Sequence, residues 1–386
     1  MNKVLITGGA GFIGTEIIKQ LYESNDWKIT VLDVMTQQIH GEKWEDSYLY
    51  KIIKDKCRFV KGDVCDYEIM EKLVADNDIV LHLAAETGTG QSMYQINRYN
   101  EVNVMGTSNL LQAISNLGSS CKVKKVILSS SRSVYGEGKY QCKNCGIVYP
   151  KARKKDKLIK GDFSVYCEKC DSKLQGLPTT EDSQVTPNSL YAFTKFAQEK
   201  MLETMCPALG IDYTIFRFQN VYGIGQSLKN PYTGILSIFS TLLLENKPIN
   251  IFEDGKESRD FINVSDVAAG VIASLTNKES NGEVLNLGSG VDTSVIEIAE
   301  MFKEIYGSKS PINVTGDFRV GDIAHNIADI SKAKKILGFE QKISLQEGLK
   351  NYCKWVLGEE KDNSGYEKSL AEMEQSGMFI RKQNES

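Results

Sequence analysis

Short apolar runs alternate with stretches of helical period through the first half of the chain. Residues 3–7, 28–33, 58–61, 79–84 and 126–128 are runs of strand length, bounded by glycine or polar residues. Between the first two, Ile13, Ile17, Ile18 and Leu21 recur at helical spacing, and residues 92–117 read as one long helix. This alternation predicts an α/β fold, a Rossmann-type doubly wound parallel sheet with helices on both faces. Another helix opens at Tyr191 and runs to about Cys206, and residues 212–216 form a sixth strand. Beyond Tyr222 the order loosens: residues 235–244, 267–275 and 295–306 read as helices, and 248–252, 261–264 and 284–288 as strands. That mixed half suits a smaller lobe with some segments returning to the main sheet. From about residue 358 the chain is polar and charged, which predicts a mobile tail or a short surface helix at 369–373.

With 386 residues the chain has ample length for a large core. A net charge of −4 does not point to nucleic acid or an anionic membrane surface. No stretch approaches the roughly 20 consecutive apolar residues of a membrane span. Met1-Asn2-Lys3 leads straight into a strand, too soon for a signal peptide. Nine cysteines, an odd number, do not form a secreted disulfide framework, and a cytoplasmic protein with reduced thiols is expected.

The turn after the first strand reads Gly8-x-x-Gly11-Phe12-Ile13-Gly14 and leads into the first helix. Glycines there let the backbone approach a pyrophosphate, and the helix N-terminus offers it unpaired N–H groups. Strand, glycines, helix, second strand and a terminal Asp33 follow in order, at about the 20-residue spacing at which a carboxylate meets the adenine ribose. A carboxylate at that point repels a 2′-phosphate, so NAD is the expected cofactor. Asp63-Val64, after the third strand, is placed beside the adenine. The plain alternative for either aspartate is a cap or turn carboxylate.

Tyr191-x-x-x-Lys195 sets two side chains one turn apart on one helix face. An ammonium beside a phenol favours the phenolate and makes the tyrosine a general base for a hydroxyl. The hydroxyl cluster Ser129-Ser130-Ser131 follows the fifth strand. A surface tyrosine near a surface lysine, and serines that merely cap a turn, are the alternatives.

Two Cys-x-x-Cys pairs, Cys142/Cys145 and Cys167/Cys170, stand between these halves, separated by 21 residues. Four thiolates close a tetrahedral site, so the spacing predicts a zinc ribbon around a structural metal. Two disulfides, a ribbon that has lost its metal, and a redox or nucleic-acid-binding module are the other readings. The basic stretch Lys151-Ala152-Arg153-Lys154-Lys155 is expected to be a solvated hairpin. The insertion leaves and re-enters the chain at the carboxyl ends of strands, the ligand-binding rim of such a sheet. It is therefore expected to border the pocket as a lid or wall, or to support a subunit contact.

On these motifs the chain resembles the extended short-chain dehydrogenase/reductase superfamily, in its nucleotide-sugar epimerase and dehydratase branch. Further matches are Gly62-Asp63-Val64, His82-Leu83-Ala84-Ala85, Asn103 with Gly106-Thr107, Ser129 to Gly136, Arg217 to Gly223, Arg259-Asp260-Phe261 and Arg319-x-Gly321-Asp322. The resemblance implies that Tyr191 is the base, that Lys195 holds the nicotinamide ribose and that Ser131 hydrogen-bonds the reacting sugar oxygen. It places Gly8, Gly11, Phe12, Ile13, Gly14, Asp33, Asp63, Val64, Leu83, Ala84, Ala85, Asn103 and Ser129 around NAD, with Tyr191 and Lys195. It places Thr87, Gly88, Ser131, Arg132, Tyr191, Asn220, Arg259, Arg319 and Asp322 around a nucleotide sugar. For any one arginine, a surface salt bridge is the alternative. Family dehydratases carry carboxylates where this chain has Arg132 and Ser133, so the resemblance implies a 4-epimerase acting through a 4-ketosugar.

The loop Glu86 to Ser92, Gln38-Ile39-His40-Gly41, the stretch Gln219 to Ser227 and the cysteine insertion resemble a narrower group, the dTDP-L-rhamnose 4-epimerases. Two positions depart from its pattern: Ala324 precedes His325 where a basic residue is expected, and Gly223-Ile224-Gly225 replaces Gly-Pro-Gly. A homodimer through helices near 92–117 and 190–206 is also implied. The expected organisation is an NAD-binding domain (1–136, 179–222, with 261–288 returning), a zinc-ribbon insertion (137–178), a substrate lobe (223–260, 289–357) and a tail (358–386). Competing functions are a nucleotide-sugar 4,6-dehydratase or 4-oxidoreductase and, outside enzymes, an NAD-sensing regulator whose ribbon contacts nucleic acid.

Overall fold

The computed structural model describes residues 1–228, 234–359 and 364–382. Seven strands form one sheet: β1 (Asn2–Thr7), β2 (Trp27–Asp33), β3 (Arg58–Lys61), β4 (Ile79–His82), β5 (Lys125–Ser131), β6 (Asp212–Phe218) and β7 (Glu283–Leu287). Their order is β7-β6-β5-β4-β1-β2-β3, and every pairing is parallel. The order reverses between β1 and β4, the place where an open α/β sheet leaves a crevice at its carboxyl edge.

Alternation along each strand feeds two cores. Val4 and Ile6 of β1 face Ile17, Ile18 and Leu21 of α1 (Phe12–Ser24), together with Val267 and Val271 of a later helix. Leu5 faces the other way, into the core built with α2 (Tyr67–Ala75), α3 (Gly106–Leu117) and α4 (Leu190–Leu209). Ser189 caps α4, accepting from the Ala192 amide at 3.2 Å, and Gly210 ends it in a left-handed conformation. A third core joins Tyr222 and Phe239 to Phe302 and Tyr352, from helices Ile235–Leu244, Val295–Tyr306 and Leu345–Val356.

Three expectations need correction. The fifth strand runs through Ser131, not to residue 128, with Ser129, Ser130 and Ser131 opposite Phe216, Arg217 and Phe218. The apolar pattern stops early because the buried hydroxyls of Ser129 and Ser130 find partners in the His82 carbonyl and Glu199. The long helix at 92–117 is in pieces: a turn at Thr89–Ser92, then Ile96–Tyr99, a π-helical stretch Asn100–Met105 and α3. The buried Asn103 sits in that π stretch and bonds across to α4.

The tail is the third, in extent only: the short helix expected at 369–373 is present and longer. Residues 360–363 and 383–386 lie outside the described set, but Ser364–Gln375 is a helix and Phe379–Ile380 pairs antiparallel with Phe318–Arg319. The Phe379 ring packs tilted against Phe252, centroids 5.1 Å apart, and Met373 reaches the Gly90 loop. A few apolar residues in a polar context anchor the segment, too sparse to register as periodicity. No described helix is long and apolar enough to cross a membrane.

Candidate active site

A cleft of about 500 Å³ lies along the carboxyl edge of the sheet, over the crossover between β1 and β4. It is lined by Gly8, Gly11, Phe12, Ile13 and Gly14, by Asp33, Asp63 and Val64, by Leu83, Ala84 and Ala85, and by Ser129, Ser131, Tyr191 and Lys195. Thr87 also reaches it.

The glycines are required by close approach. Gly8 has φ +70°, and a Cβ there would lie 2.7 Å from the Ala84 backbone. A Cβ on Gly14 would lie 2.6 Å from Gly9, so glycine is what lets α1 start against the turn. Asp33 accepts from the Ala10 amide at 3.0 Å and from the Met35 amide at 2.9 Å. Burial raises its carboxyl pKa, and these amides and His40 oppose the shift. The cradle of backbone and the carboxylate at the far strand end fit a dinucleotide with an unphosphorylated adenine ribose.

On α4, Tyr191, Lys195 and Glu199 share one face at four-residue spacing. Glu199 is fully buried and takes a forked pair from Arg217 of β6, Nε at 3.0 Å and Nη2 at 2.7 Å. This ion pair fixes the helix to the sheet. Lys195 donates to the Ser129 carbonyl at 2.8 Å, and burial lowers it to about 7 against the opposing charge of Glu199. Tyr191 is raised by burial, opposed by its hydrogen bond with Ser131 and by the charge of Arg132. One cation acting on the phenol is therefore Arg132, a residue outside the Tyr-x-x-x-Lys spacing. Ser131 and Tyr191 meet across sixty positions of sequence because β5 ends and α4 begins at this edge.

Other expected site residues lie behind the cleft wall. Asn103 is fully buried: it accepts from the Glu86 amide at 2.8 Å and donates to the Glu86 carbonyl and to Thr194. It thereby holds the loop after β4. Gly88 has φ +109°, and the Tyr99 hydroxyl donates to the Thr87 and Gly88 carbonyls at 2.5 and 3.0 Å. Asn220 hydrogen-bonds the Asp260 carbonyl through its amide and keeps a buried side-chain oxygen without a partner.

Arg259 donates to the carbonyls of Ser258, Ile323 and Ala324 and to Asp322 at 3.1 Å. Arg319 lies over the Phe252 ring, and its Nε is buried without a partner. Burial would raise Asp322, but the charges of Arg259, Arg319, Arg153 and Arg132 hold it below the ordinary carboxylate range. These four guanidiniums surround one aspartate, and Arg132 joins them to Tyr191. Glu137 and Glu253 pair with Arg153 in the same cluster, whereas the buried Arg319 Nε has no partner and suits an anionic ligand.

Sequence reasoning did not single out Arg98, which bridges Glu86 at 2.9 Å and Asp63 at 3.8 Å at the cleft wall. Nor did it give a role to Gln219, whose amide is buried in the cleft without partners. Neither belongs to a spacing pattern; for Gln219 the signal was its place at the head of the stretch Gln219 to Ser227.

The four cysteine sulfurs lie within 4.8 Å of one another. The distances Cys142–Cys170, 3.5 Å, and Cys145–Cys170, 3.7 Å, are far beyond a disulfide bond. They match the edge of about 3.8 Å that Zn–S bonds of about 2.3 Å give in a tetrahedron. Gly146 and Asp171, each directly after a second cysteine, both have positive φ, so the two knuckles turn alike. The basic stretch between them departs from expectation. Lys151, Lys154 and Lys155 are exposed, but the Arg153 side chain is only 3% exposed and ion-paired to Glu253.

The chain matches the NAD dependent epimerase/dehydratase family over residues 4–153 and 164–288. It belongs to that family. The gap in the match falls within the cysteine insertion. The chain is 38% identical over 361 residues to dTDP-L-rhamnose 4-epimerase of Burkholderia thailandensis, covering 93% of this chain and 96% of the relative. Among solved structures it is similar to the UDP-glucose 4-epimerase of Thermotoga maritima, determined with UDP-glucose. The TM-score is 0.74 at 28% identity, over 92% of this chain and 99% of that one. It is also similar to a variant UDP-glucuronic acid 4-epimerase from Bacillus cereus in complex with UDP-4-deoxy-4-fluoro-glucuronic acid and NAD. There the TM-score is 0.75 at 25% identity, over 92% and 99% of the two chains.

Proposed function

We propose that this chain is an NAD-dependent nucleotide-sugar 4-epimerase whose substrate is dTDP-L-rhamnose or a related deoxysugar nucleotide. The observation that carries the reading is the pairing of Tyr191 with Ser131 at the mouth of the glycine cradle, with Arg132 and Ser133 at the positions where a dehydratase needs acids. The likeness to the Burkholderia enzyme over nearly the whole chain supports the choice of sugar.

Tyr191 takes the proton of the sugar 4-hydroxyl and returns it after the ring has turned over. Ser131 holds that oxygen, and Arg132 stabilises the phenolate. NAD, when bound, would supply a reversible hydride acceptor for the sugar C4. Lys195 would hold the nicotinamide ribose, and the cradle from Gly8 to Gly14, with Asp33, Asp63 and Val64, would hold the rest. Arg259, Arg319 and Asn220 present the diphosphate side of the pocket, with Asp322 orienting Arg259. Thr87 and Gly88 close the sugar side.

The units follow the chain: a cofactor domain, a ribbon at 137–178 holding structural zinc on Cys142, Cys145, Cys167 and Cys170, and a substrate lobe. Exposed Ile96, Met105 and Phe193 on the helices flanking the site support a homodimer. The test of the mechanism is Tyr191→Phe. Epimerisation should fall about a hundredfold to ten-thousandfold with fold and bound NAD unchanged; full activity in that variant would exclude the scheme.

A further inference from the structure

We infer that Arg153, carried by the cysteine insertion, is a positioning residue for the nucleotide-sugar pocket, tying the insertion to the loop that orients Arg259. The inference rests on the epimerase reading above.

Arg153 stands in a run of exposed lysines but is itself buried. Its guanidinium meets four separate segments. It forms a forked pair with Glu253, the Nη2 arm at 2.7 Å. Nη2 also donates to the Asp322 carbonyl at 2.9 Å. Nη1 donates to Phe163 within the insertion at 3.2 Å. Nε faces Glu137 at 3.5 Å.

Two of these partners, Glu137 and Asp322, lead to the site. Glu137 lies two residues after the Arg132–Tyr135 turn that follows the catalytic strand, and it accepts from the Ala324 amide at 3.0 Å. The Asp322 backbone is held by Arg153, while its carboxylate accepts from Arg259. Arg259 is fixed further by the Ile323 and Ala324 carbonyls of the same loop. A rigid, bidentate guanidinium suits this task, since it sets angles as well as distances. An isolated surface lysine could not replace it. The insertion thus forms part of the pocket's frame without contributing a residue to the cleft.

The test compares the wild type with Arg153→Met, Arg153→Lys and the double variant Arg153→Met/Glu253→Gln. The double variant removes the forked carboxylate together with the charge and leaves only Glu137 facing the gap, so it decides the matter if the single variant does not fold. The probes are dTDP and UDP in titration calorimetry, with KM and kcat for the epimerised sugar nucleotide and the NAD content of the purified protein. Loss of positioning should weaken nucleotide binding and raise KM about tenfold or more, with NAD content unchanged and kcat within about threefold. Arg153→Lys should recover only part of the affinity. A lower melting temperature with unchanged nucleotide affinity and KM would overturn the inference and leave Arg153 purely structural. A wild type that binds neither nucleotide and epimerises nothing would instead overturn the epimerase reading.

Discussion

Lys195 illustrates how burial changes what a motif means. Its spacing from Tyr191 was legible in the sequence, and the helix face they share follows from it. What spacing could not give is the distribution of charge: Lys195 donates to the Ser129 carbonyl, and the charge of Arg132, from another element, opposes burial of the phenol. Burial lowers Lys195 to about 7, whereas an unfolded lysine titrates near 10.4. Between those values the unfolded chain binds a proton that the folded chain lacks, so stability from this group rises with pH. Below about pH 7 both states are protonated and the full cost of burying the charge applies. Cofactor-free wild type should therefore gain on a Lys195→Met variant in melting temperature from about pH 7 to pH 9. A difference that stays constant over that range would show that Lys195 is charged throughout.

At the scale of elements, the cofactor half was readable because strand, glycine turn and helix repeat with strong patterning. The insertion was readable only in part. Cysteine spacing announced the knuckles, but no local signal separates a buried Arg153 from its exposed lysine neighbours; its partners lie about 100 and 169 positions away. The unexpected Ala324 has a physical reason. It packs with Tyr140 and Val165 in the small core under the insertion, where a long basic side chain would not fit. The C-terminal strand escaped notice because two paired residues carry little pattern. If the insertion is a zinc-held frame, metal analysis of purified protein should find about one zinc per chain. Cys167→Ser should lose it, and nucleotide affinity should fall while NAD content is kept. Metal-free protein with full nucleotide affinity would contradict that role.

For the whole molecule, the parallel sheet and its crossover follow from period and chirality alone, and they place Ser131 and Tyr191 together. Assembly is less legible, since exposed apolar residues show only once the helices have faces. Ile96 and Met105 are each 53% exposed and Phe193 is 54% exposed. Phe193→Asp should convert a dimer to a monomer in sedimentation, while a wild type that is already monomeric would exclude this interface.

The central claim concerns the path of one hydrogen. Purified protein, incubated with dTDP-L-rhamnose in deuterium oxide without added cofactor and followed by NMR and mass spectrometry, should form the C4 epimer with unchanged mass. The hydrogen at C4 should remain protium, because the hydride leaves and returns without meeting solvent. A product lighter by water, net consumption of added nicotinamide, or deuterium at C4 would contradict the account.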